Sequence, residues 1–364
     1  MKKLSRKKLI FIAVSVFAIF SIGAIGLRTA KYYPFLFQLL FKKEISLKKA
    51  DHNINVLLLG IGGGTHDGPD LTDTIMFASL NQTQNKITLV SIPRDFWVAD
   101  LGSRINTAYY YGEEKSKGGG IILAKAVVSK ILAQPVDYVV RIDFNGFIKA
   151  VDEIGGLDIQ IDNSFDDYEY PIEGKQNDLC GHEPSEIDFL ATTSAQLEAF
   201  PCRYKQIHFD KGLQHMSGGQ ALEYIRSRHA KGEEGTDFAR SKRQEKVIEA
   251  FKDKIFSLGT FINPGKFLSL YSILEESIDT NIKQDEFDDF IRLAQKMNNA
   301  KIQSAVLDYG DSEKGRPGLL VNPPAENYKG QWVLEPRIGT GDFSEIQQYV
   351  SCEIKAGNCK IEKK

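Results

Sequence analysis

An uncharged apolar stretch near the N-terminus limits both the fold and the cellular location that this chain can have. Residues 9–27 contain no charged side chain, and the basic segment 1–8 precedes them. A helix over this stretch, at about 1.5 Å of rise per residue, is long enough to cross the hydrocarbon core of a bilayer. The Lys and Arg residues before it predict a cytoplasmic N-terminus and an extracytoplasmic location for the rest of the chain.

A cleaved signal peptide is the alternative interpretation. Its apolar region is usually shorter and ends in small residues of the A-x-A type. Gly23, Ala24 and Gly26 are small but form no such site, so we favour a retained transmembrane helix. The prediction is therefore a single-pass cell-membrane protein with a cytoplasmic basic tail (1–8), a span (9–27) and a juxtamembrane linker (28–52).

The four cysteines agree with export to an oxidising compartment. They are Cys180, Cys202, Cys352 and Cys359, and no C-x-x-C spacing indicates zinc. Three pairings are possible for four cysteines. We favour the two local bridges, Cys180 with Cys202 and Cys352 with Cys359, because each pair lies within one loop-like segment.

The charge balance excludes one large class of partner. The 364 residues carry a formal net charge of -2, so the whole surface does not attract polyanions, and the sequence has no basic stripe for nucleic acid. Any anion site must be local and built from clustered arginines.

The hydrophobic pattern alternates between strands and helices from residue 53 onward. Strands are predicted at 55–59, 74–80, 86–92, 136–142, 157–161 and 303–307, and helices at 120–132, 145–154, 218–225 (with Ser217 as N-cap), 240–256 and 285–296. This order predicts an α/β domain over 53–307 with helices on both faces of a sheet. A hairpin turn at 81–85 makes that sheet mixed.

Two segments interrupt this alternation. Residues 163–209 are long, polar and contain one cysteine pair, so we predict a surface insertion in the domain. Residues 308–364 are rich in glycine, proline and charge, and they are predicted to form an irregular C-terminal tail.

Arginine is concentrated at the ends of predicted elements. The set comprises Arg94 after a strand, Arg226 and Arg228 at a helix end, and Arg240 and Arg243, with Gln244, on one helix. Guanidinium groups donate two parallel hydrogen bonds to phosphate and stay charged. If the chain leaves its helix extended, Arg226 and Arg228 point the same way. If the side chains of these arginines converge on one point, they form a site for a diphosphate. The alternative is that each arginine makes an ion pair on the protein surface.

Three carboxylates lie in the glycine-rich loop before the second strand. Asp67, Asp70 and Asp73 offer the hard oxygen ligands that suit Mg²⁺ beside phosphate. The run Gly62-Gly63-Gly64 is no P-loop, because no Gly-Lys-Ser/Thr follows it. A flexible turn is the alternative interpretation of that run.

Several motifs in one order make the chain similar to the LytR-CpsA-Psr family, over about residues 53–255 and more weakly to 307. They are Leu57-Leu58-Leu59-Gly60, Thr72-Asp73-Thr74, Ser91-Ile92-Pro93-Arg94-Asp95, Arg104-Ile105-Asn106-Thr107-Ala108-Tyr109, Phe144-Asn145-Gly146-Phe147, Asp152-Glu153-Ile154-Gly155-Gly156-Leu157, the segment 213–228, and Asp237-Phe238-Ala239-Arg240 with Arg243-Gln244.

The resemblance implies a three-layer α-β-α sandwich with an apolar pocket for a polyprenyl chain and with bound Mg²⁺. Transferred by position, the predicted metal ligand is Asp73, the pyrophosphate-binding residues are Arg94, Arg104, Arg226, Arg228, Arg240, Arg243 and Gln244, and the catalytic residues are Asp73, Arg94, Asp95, Arg226 and Arg228. The family usually has an aspartate after the first strand's glycine and an arginine before Ser-Asp-Thr. This chain has Ile61-Gly62 and Leu71 there, so Asp67 or Asp70 is expected to complete the metal site.

The function implied is a Mg²⁺-dependent phosphotransferase of the cell envelope. It would attach a polyprenyl-pyrophosphate-linked glycopolymer, teichoic acid-like or capsular, to peptidoglycan and release polyprenyl phosphate. Two alternatives stay open: a non-catalytic polyprenyl-phosphate-binding regulator of the transcriptional attenuator type, and a lipid pyrophosphatase.

Overall fold

The computed structural model describes residues 44–49, 52–64, 68–187, 189–190, 195–257, 264–311 and 316–362. Within those ranges no helix has the length and apolar character needed to cross a membrane. The predicted span at 9–27 and the candidate ligand Asp67 lie outside the described residues. The chain divides into a larger unit, Lys48–Ile282 with Met297–Lys364, and a smaller unit.

The strands of the larger unit are β1 Asn53–Ile61, β2 Thr72–Asn81, β3 Lys86–Ser91, β4 Trp97–Val98, β5 Ser103–Arg104, β6 Tyr138–Asp143, β7 Leu157–Ile161, β8 Phe165–Pro171, β9 Tyr204–Phe209, β10 Gly212–Met216, β11 Ile278–Thr280, β12 Lys301–Val306, β13 Gly310–Asp311, β14 Arg316–Pro317, β15 Leu320–Val321 and β16 Glu335–Pro336. Six of them form a central sheet in the order β11-β6-β1-β2-β3-β12.

The central sheet is mixed, as the hairpin predicted. β1, β3, β6 and β12 run in one direction, while β2 and β11 run against their neighbours. Alternate side chains of each strand face opposite sides: Leu57, Leu59 and Phe77 enter a buried core on one face, and Leu58 and Met76 line a pocket on the other.

Helices cover both faces of the sheet. Their bounds are α1 Ala108–Lys115, α2 Gly119–Leu132, α3 Phe144–Glu153, α4 Gln196–Ala199, α5 Gly218–Arg226, α6 Asp237–Ser257, α7 Pro264–Ser277, α8 Phe287–Lys296 and α9 Ser344–Lys355. α1, α2 and α9 contribute to the core on one face, and α3, α5 and α6 line the pocket on the other. The predicted mixed α/β fold is confirmed.

The strands and helices predicted from residue 53 onward are all present, with ends that differ by at most three residues. The predicted cap is one example: the Ser217 hydroxyl accepts a hydrogen bond from the Gln220 backbone amide, and the Gln220 side-chain oxygen accepts one from the Ser217 backbone amide. Such reciprocal bonds satisfy amide donors that a helix start leaves unpaired. α1 and α7 are helices that the hydrophobic pattern did not predict.

The insertion and the tail are more ordered than predicted. Both local disulfides are present, Cys180–Cys202 and Cys352–Cys359. β8 and β9 are the two ends of the insertion and pair with each other, with Phe165, Tyr170 and Phe209 buried. The prediction of an irregular tail is wrong, because α9 places Ile346, Val350 and Ile354 in the core. Their spacing of four residues makes one apolar helix face.

The smaller unit comprises Met1–Leu47 and Lys283–Lys296. Its described part contains α8, which matches the helix predicted at 285–296. Within it, Arg292 pairs with Asp288 and Asp289, and Asp289 also accepts a hydrogen bond from the Ser46 amide.

Candidate active site

Several predicted site residues meet at one edge of the central sheet. Parallel strands share the edge at which they end, and α/β proteins bind ligands at such edges. β1, β3, β6 and β12 all end there, and the antiparallel β2 begins there. Asp73 is the second residue of β2, Arg94 follows the end of β3, and Asp143 ends β6. The sheet's register therefore assembles groups that are far apart in sequence.

Two carboxylates organise what we call the arginine cluster, which consists of Arg94, Arg104 and Arg228 with Asp73 and Asp95. The Arg94 Nη1 donates to Asp73 Oδ1 at 2.5 Å. Asp95 is buried and accepts from Arg104 at 3.0 Å and Arg228 at 3.5 Å, with the Arg94 Nε at 3.6 Å. Three guanidinium groups thus surround one buried carboxylate.

The cluster keeps its positive groups charged and accessible. Burial tends to lower the pKa of Arg94, but the charges of Asp73 and Asp95 outweigh it, so that pKa is raised. The side chains of Arg94, Arg104 and Arg228 remain 32%, 32% and 30% exposed. A ligand phosphate can therefore reach guanidinium groups that the protein already orients.

The turn after α5 is fixed by a carboxylate from the predicted insertion. Asp167 on β8 is buried, and its Oδ2 accepts from the Ser227 hydroxyl at 2.7 Å, the Arg228 amide at 3.0 Å and the His229 amide at 3.2 Å. Because these bonds set the backbone of the turn, they set the direction of the Arg228 side chain.

Arg226 and Arg228 contact different partners, so their side chains do not point the same way as predicted. The Arg226 guanidinium lies 4.1 Å from the centre of the Phe144 ring and donates to the Tyr170 hydroxyl at 3.4 Å. Arg228 faces Asp95 instead. Arg226 also lines the apolar pocket described next, so it lies where an apolar and a charged surface meet.

An apolar pocket of about 390 Å³ lies between the sheet and α3, α5 and α6. Its interior is lined by Leu58, Met76, Val140, Ile142, Phe147, Ala150, Leu222, Ile225, Val247, Ile248 and Phe251. Its polar lining includes Thr74, Asp143, Arg226 and Gln244, and we call this end the pocket mouth. Asp73, the residue before Thr74, links the mouth to the arginine cluster.

Gln244 connects α6 to the mouth. Its amide donates to the Thr74 hydroxyl at 3.3 Å. Arg240 is partly exposed and lies four residues earlier on the same helix, which places it on the same helical side as Gln244. Both predicted residues therefore belong to the side of α6 that leads to the mouth.

Arg243 is the residue that the structure places elsewhere, and it corrects the phosphate-binding prediction. Its side chain is 2% exposed. It donates to the carbonyls of Tyr224 and Ser227 at 2.8 and 2.7 Å, and to the carbonyl and carboxylate of Glu234 at 2.8 and 3.0 Å. Burial lowers the pKa of Arg243, and Glu234 acts against that shift. Arg243 is a structural residue that fixes the end of α5.

The glycine run after β1 packs tightly instead of forming a phosphate loop. Gly63 has a φ of +68°, and a Cβ there would lie 2.9 Å from the Asp143 Cβ. Only glycine suits both conditions. Asp143 in turn caps α3, accepting from the Gly146 amide at 2.8 Å. The glycine run therefore lets the backbone pass close to Asp143, the last residue of β6.

Asp73 and Asp70 could hold a cation jointly with phosphate oxygens and water. Mg²⁺ commonly takes one or two carboxylates plus phosphate oxygens and water. Asp73 is 20% exposed beside the arginine cluster, and Asp70 is partly exposed. Among the described residues, no trio of potential ligand side chains that includes either aspartate converges within 4.8 Å.

Sequence reasoning missed four residues that shape this site: Asp143, Phe144, Asp167 and Tyr170. An available signal was the Asp-Phe-Asn-Gly segment, in which Asp143 follows a predicted strand and precedes a predicted helix, the usual position of an N-cap. Asp167 and Tyr170 gave no comparable signal, because they lie in the polar insertion.

Comparison with known proteins agrees with this architecture. A polyisoprenyl-teichoic acid–peptidoglycan teichoic acid transferase TagU from Bacillus mycoides is 26% identical over 333 residues, covering 86% of this chain and 91% of that relative. A TagU from Bacillus cereus is 27% identical over 300 residues, covering 78% and 82%. The crystal structure of Bacillus subtilis TagV shares the fold, with a TM-score of 0.53 and 22% identity over 84% of this chain and 98% of that one.

The family profile decides the classification. The LytR_cpsA_psr family matches residues 38–321, which is well over half of the chain. The match includes each motif that carried the resemblance, the whole arginine cluster and every residue of the pocket mouth. The resemblance is thereby confirmed, and the chain belongs to the LytR_cpsA_psr family.

Proposed function

We propose that this protein is a cell-envelope phosphotransferase that moves a glycopolymer from a polyprenyl-pyrophosphate carrier to peptidoglycan. The observation that carries the proposal is the apolar pocket of about 390 Å³ whose mouth adjoins the arginine cluster. A polyprenyl pyrophosphate has two chemical halves, an apolar chain and a charged diphosphate. The pocket suits the first, and the cluster suits the second.

The relatives support the reaction class. They are named as transferases that act between a polyisoprenyl-linked teichoic acid and peptidoglycan, and we assign this chain to the same class of enzyme. A teichoic acid-like or capsular polymer is the proposed donor cargo. The predicted span at 9–27 would keep the enzyme in the membrane that contains such a carrier.

The proposed reaction is an in-line displacement at phosphorus. An acceptor hydroxyl oxygen attacks the phosphorus that bears the glycopolymer, and the bond from this phosphorus to the bridging oxygen breaks. Polyprenyl phosphate leaves with that oxygen, and the hydroxyl proton passes to water. Such reactions are accelerated mainly by positioning and by charge stabilisation, which Arg94, Arg104 and Arg228 are placed to provide.

Asp95 is better suited to positioning than to base catalysis. Its buried carboxylate contacts Arg94, Arg104 and Arg228, so its oxygens already face guanidinium groups of the protein. Asp95 therefore fixes the guanidinium groups at the angle needed by the diphosphate.

We further propose that Mg²⁺ is the cofactor. Asp73 would be its principal protein ligand, with Asp70 or Asp67 as the second candidate and phosphate oxygens completing its shell. When bound, Mg²⁺ would neutralise charge on the leaving phosphate. The pairing of Asp73 with Arg94 then orients both groups toward the same phosphates.

The test is a transfer assay with the full chain in detergent. It uses a radiolabelled polyprenyl-pyrophosphate-linked oligosaccharide, peptidoglycan and Mg²⁺, and it compares wild type with Arg228→Ala and with the control Lys125→Ala. Lys125 lies on α2, beyond the opposite face of the sheet. We expect label on peptidoglycan with wild type and the control, and little with Arg228→Ala.

Other outcomes identify the alternatives. Phosphorylated oligosaccharide released without acceptor would indicate a pyrophosphatase. Tight donor binding with no product under any condition would indicate a binding or regulatory protein. Equal transfer by wild type and Arg228→Ala would contradict the proposed role of the cluster.

A further inference from the structure

A second concavity, of about 650 Å³, lies on the opposite side of α6 from the apolar pocket. We call it the flank groove. α6 contributes Phe238, Lys242 and Lys246 to the groove, whereas its Gln244 and Val247 line the pocket. One helix is therefore the shared wall of two differently lined cavities, and the reaction described above uses only one of them.

Two aromatic rings are exposed in the groove. Tyr309 is 52% exposed and Phe238 is 42% exposed, which is unusual for side chains with this much apolar area. The Arg316 guanidinium lies 5.3 Å from the centre of the Phe238 ring and leaves much of that ring accessible. These rings offer flat apolar surfaces, of the kind that contact the C–H faces of sugar rings.

The charged groups in the groove are largely neutralised within the protein. Arg316 makes two bonds to Asp308, at 3.0 and 2.6 Å. Lys246 pairs with Asp162 at 2.7 Å, and Lys242 pairs with Glu245 at 2.8 Å. Paired charges still offer hydrogen-bonding atoms but give little net attraction for an ion. The lining suits an uncharged ligand rich in hydroxyl and amide groups.

The groove lies next to the reaction centre. Arg243 lines it and donates to the carbonyl of Ser227, the residue before Arg228. Arg240 and Gln244 lie on the mouth side of the same helix. The width of a helix with its side chains is about 10–12 Å, so a polymer of a few sugar units in the groove can extend past the first turns of α6 to the arginine cluster.

We propose that the flank groove binds the acceptor, as an uncharged stretch of N-acetylated sugars in a glycan strand. This inference rests on the proposed function and assigns the second substrate to a specific surface. Tyr309 and Phe238 contact the sugar rings, and the paired charges bond their hydroxyl and amide groups. A hydroxyl beyond the bound stretch then lies at the phosphates.

Binding of each substrate to the full chain in detergent provides the test. The acceptor probe is a fluorescent glycan strand of alternating N-acetylglucosamine and N-acetylmuramic acid without stem peptides, with the lactyl carboxyl groups amidated so that the strand is uncharged. Its binding is measured with polyprenyl phosphate present. The variants are Tyr309→Ala, Phe238→Ala and both together. Trp332→Ala is the matched control, since Trp332 is 46% exposed and does not line the groove.

We expect each single variant to raise the strand Kd about tenfold and the double variant about a hundredfold, since the two contacts act separately. Polyprenyl-phosphate binding and the melting temperature should stay at wild-type values, and Trp332→Ala should bind strands normally. If the double variant binds strands within twofold of wild type, or if wild type binds lipid but no strand, the groove proposal is overturned. If wild type binds no polyprenyl phosphate, the proposed function itself fails.

Discussion

Arg228 and Arg243 lie fifteen residues apart and were predicted for the same phosphate site, but the structure uses them in opposite ways. Arg228 is 30% exposed and faces the carboxylate of Asp95. Arg243 is 2% exposed and donates to the backbone carbonyls of Tyr224 and Ser227. The Arg228 guanidinium is oriented and accessible to a ligand, whereas the Arg243 guanidinium is buried and its donors are already used in hydrogen bonds.

Arginines that can bind a ligand differ from structural ones in the groups they contact. A guanidinium beside a carboxylate keeps its charge, and it can bind a second anion without losing a contact on which the fold depends. A guanidinium bonded to buried carbonyls cannot turn toward a ligand, because those carbonyls would lose their donors. Exposure and partner type therefore distinguish a binding arginine from a structural one, and the residue type alone does not.

The largest expected effect is on stability, from Arg243→Met. The change leaves the carbonyls of Tyr224 and Ser227 without donors and Glu234 without its partner. Breaking such a buried pair costs about 3–5 kcal/mol. Urea denaturation of the full chain in detergent measures it, with Lys125→Met as control. A loss below about 1 kcal/mol would show that Arg243 is not structural and would remove the contrast with Arg228.

The next effect is on catalysis, from Arg94→Ala and Arg228→Ala. Removing one preoriented donor of charge stabilisation typically lowers kcat about 10²- to 10³-fold. The urea midpoint should change little, because both side chains are partly exposed. Arg94→Lys should rescue poorly, since an ammonium lacks the planar fork. If activity falls only to the extent that stability falls, Arg94 and Arg228 are structural residues like Arg243.

A smaller, mixed effect is expected from Asp167→Asn. The amide retains the shape of the carboxylate but weakens three bonds to the turn at 227–229, at a cost of about 1–3 kcal/mol. Because the turn directs Arg228, kcat should fall while the KM for donor changes less. Unchanged kcat in a destabilised variant would show that Asp167 stabilises the turn without orienting Arg228.

The smallest effect is expected from Phe144→Leu, which removes the ring beneath Arg226 but keeps an apolar side chain. A partly exposed cation–π contact contributes about 0.5–1 kcal/mol, so the donor KM should rise about two- to fivefold with little change in kcat. Steady-state kinetics measure this change. A large fall in kcat would mean that Arg226 acts on the transition state rather than on the bound donor.

Much of the fold was predictable from sequence, because its strands and helices follow from the local spacing of apolar residues. Alternating strands and helices predicted an α/β domain and the hairpin turn predicted a mixed sheet, in which the antiparallel pairing of β2 with β3 brings Asp73 and Arg94 to one edge. Helical spacing alone did not separate Gln244 from Arg243, since both lie near Arg240 on the helix. Only the packing of α5 against α6 encloses Arg243.

The missed features depend on distant parts of the chain. Asp167 reaches the turn after α5 because β8 and β9 fold the insertion back onto the domain. In the tail, glycine, proline and charged residues dominate the overall composition, which hides the apolar spacing of Ile346, Val350 and Ile354 in α9. That spacing was a usable signal, whereas the contacts of Asp167 were not.

We propose that the pocket and the arginine cluster together bind a polyprenyl phosphate. Native mass spectrometry of the full chain, purified in detergent from its host cells with and without Mg²⁺, measures this binding. We predict that wild type carries a polyprenyl phosphate or pyrophosphate and that Arg226→Ala carries much less. A wild-type protein that is empty and also ignores added polyprenyl pyrophosphate would contradict the account.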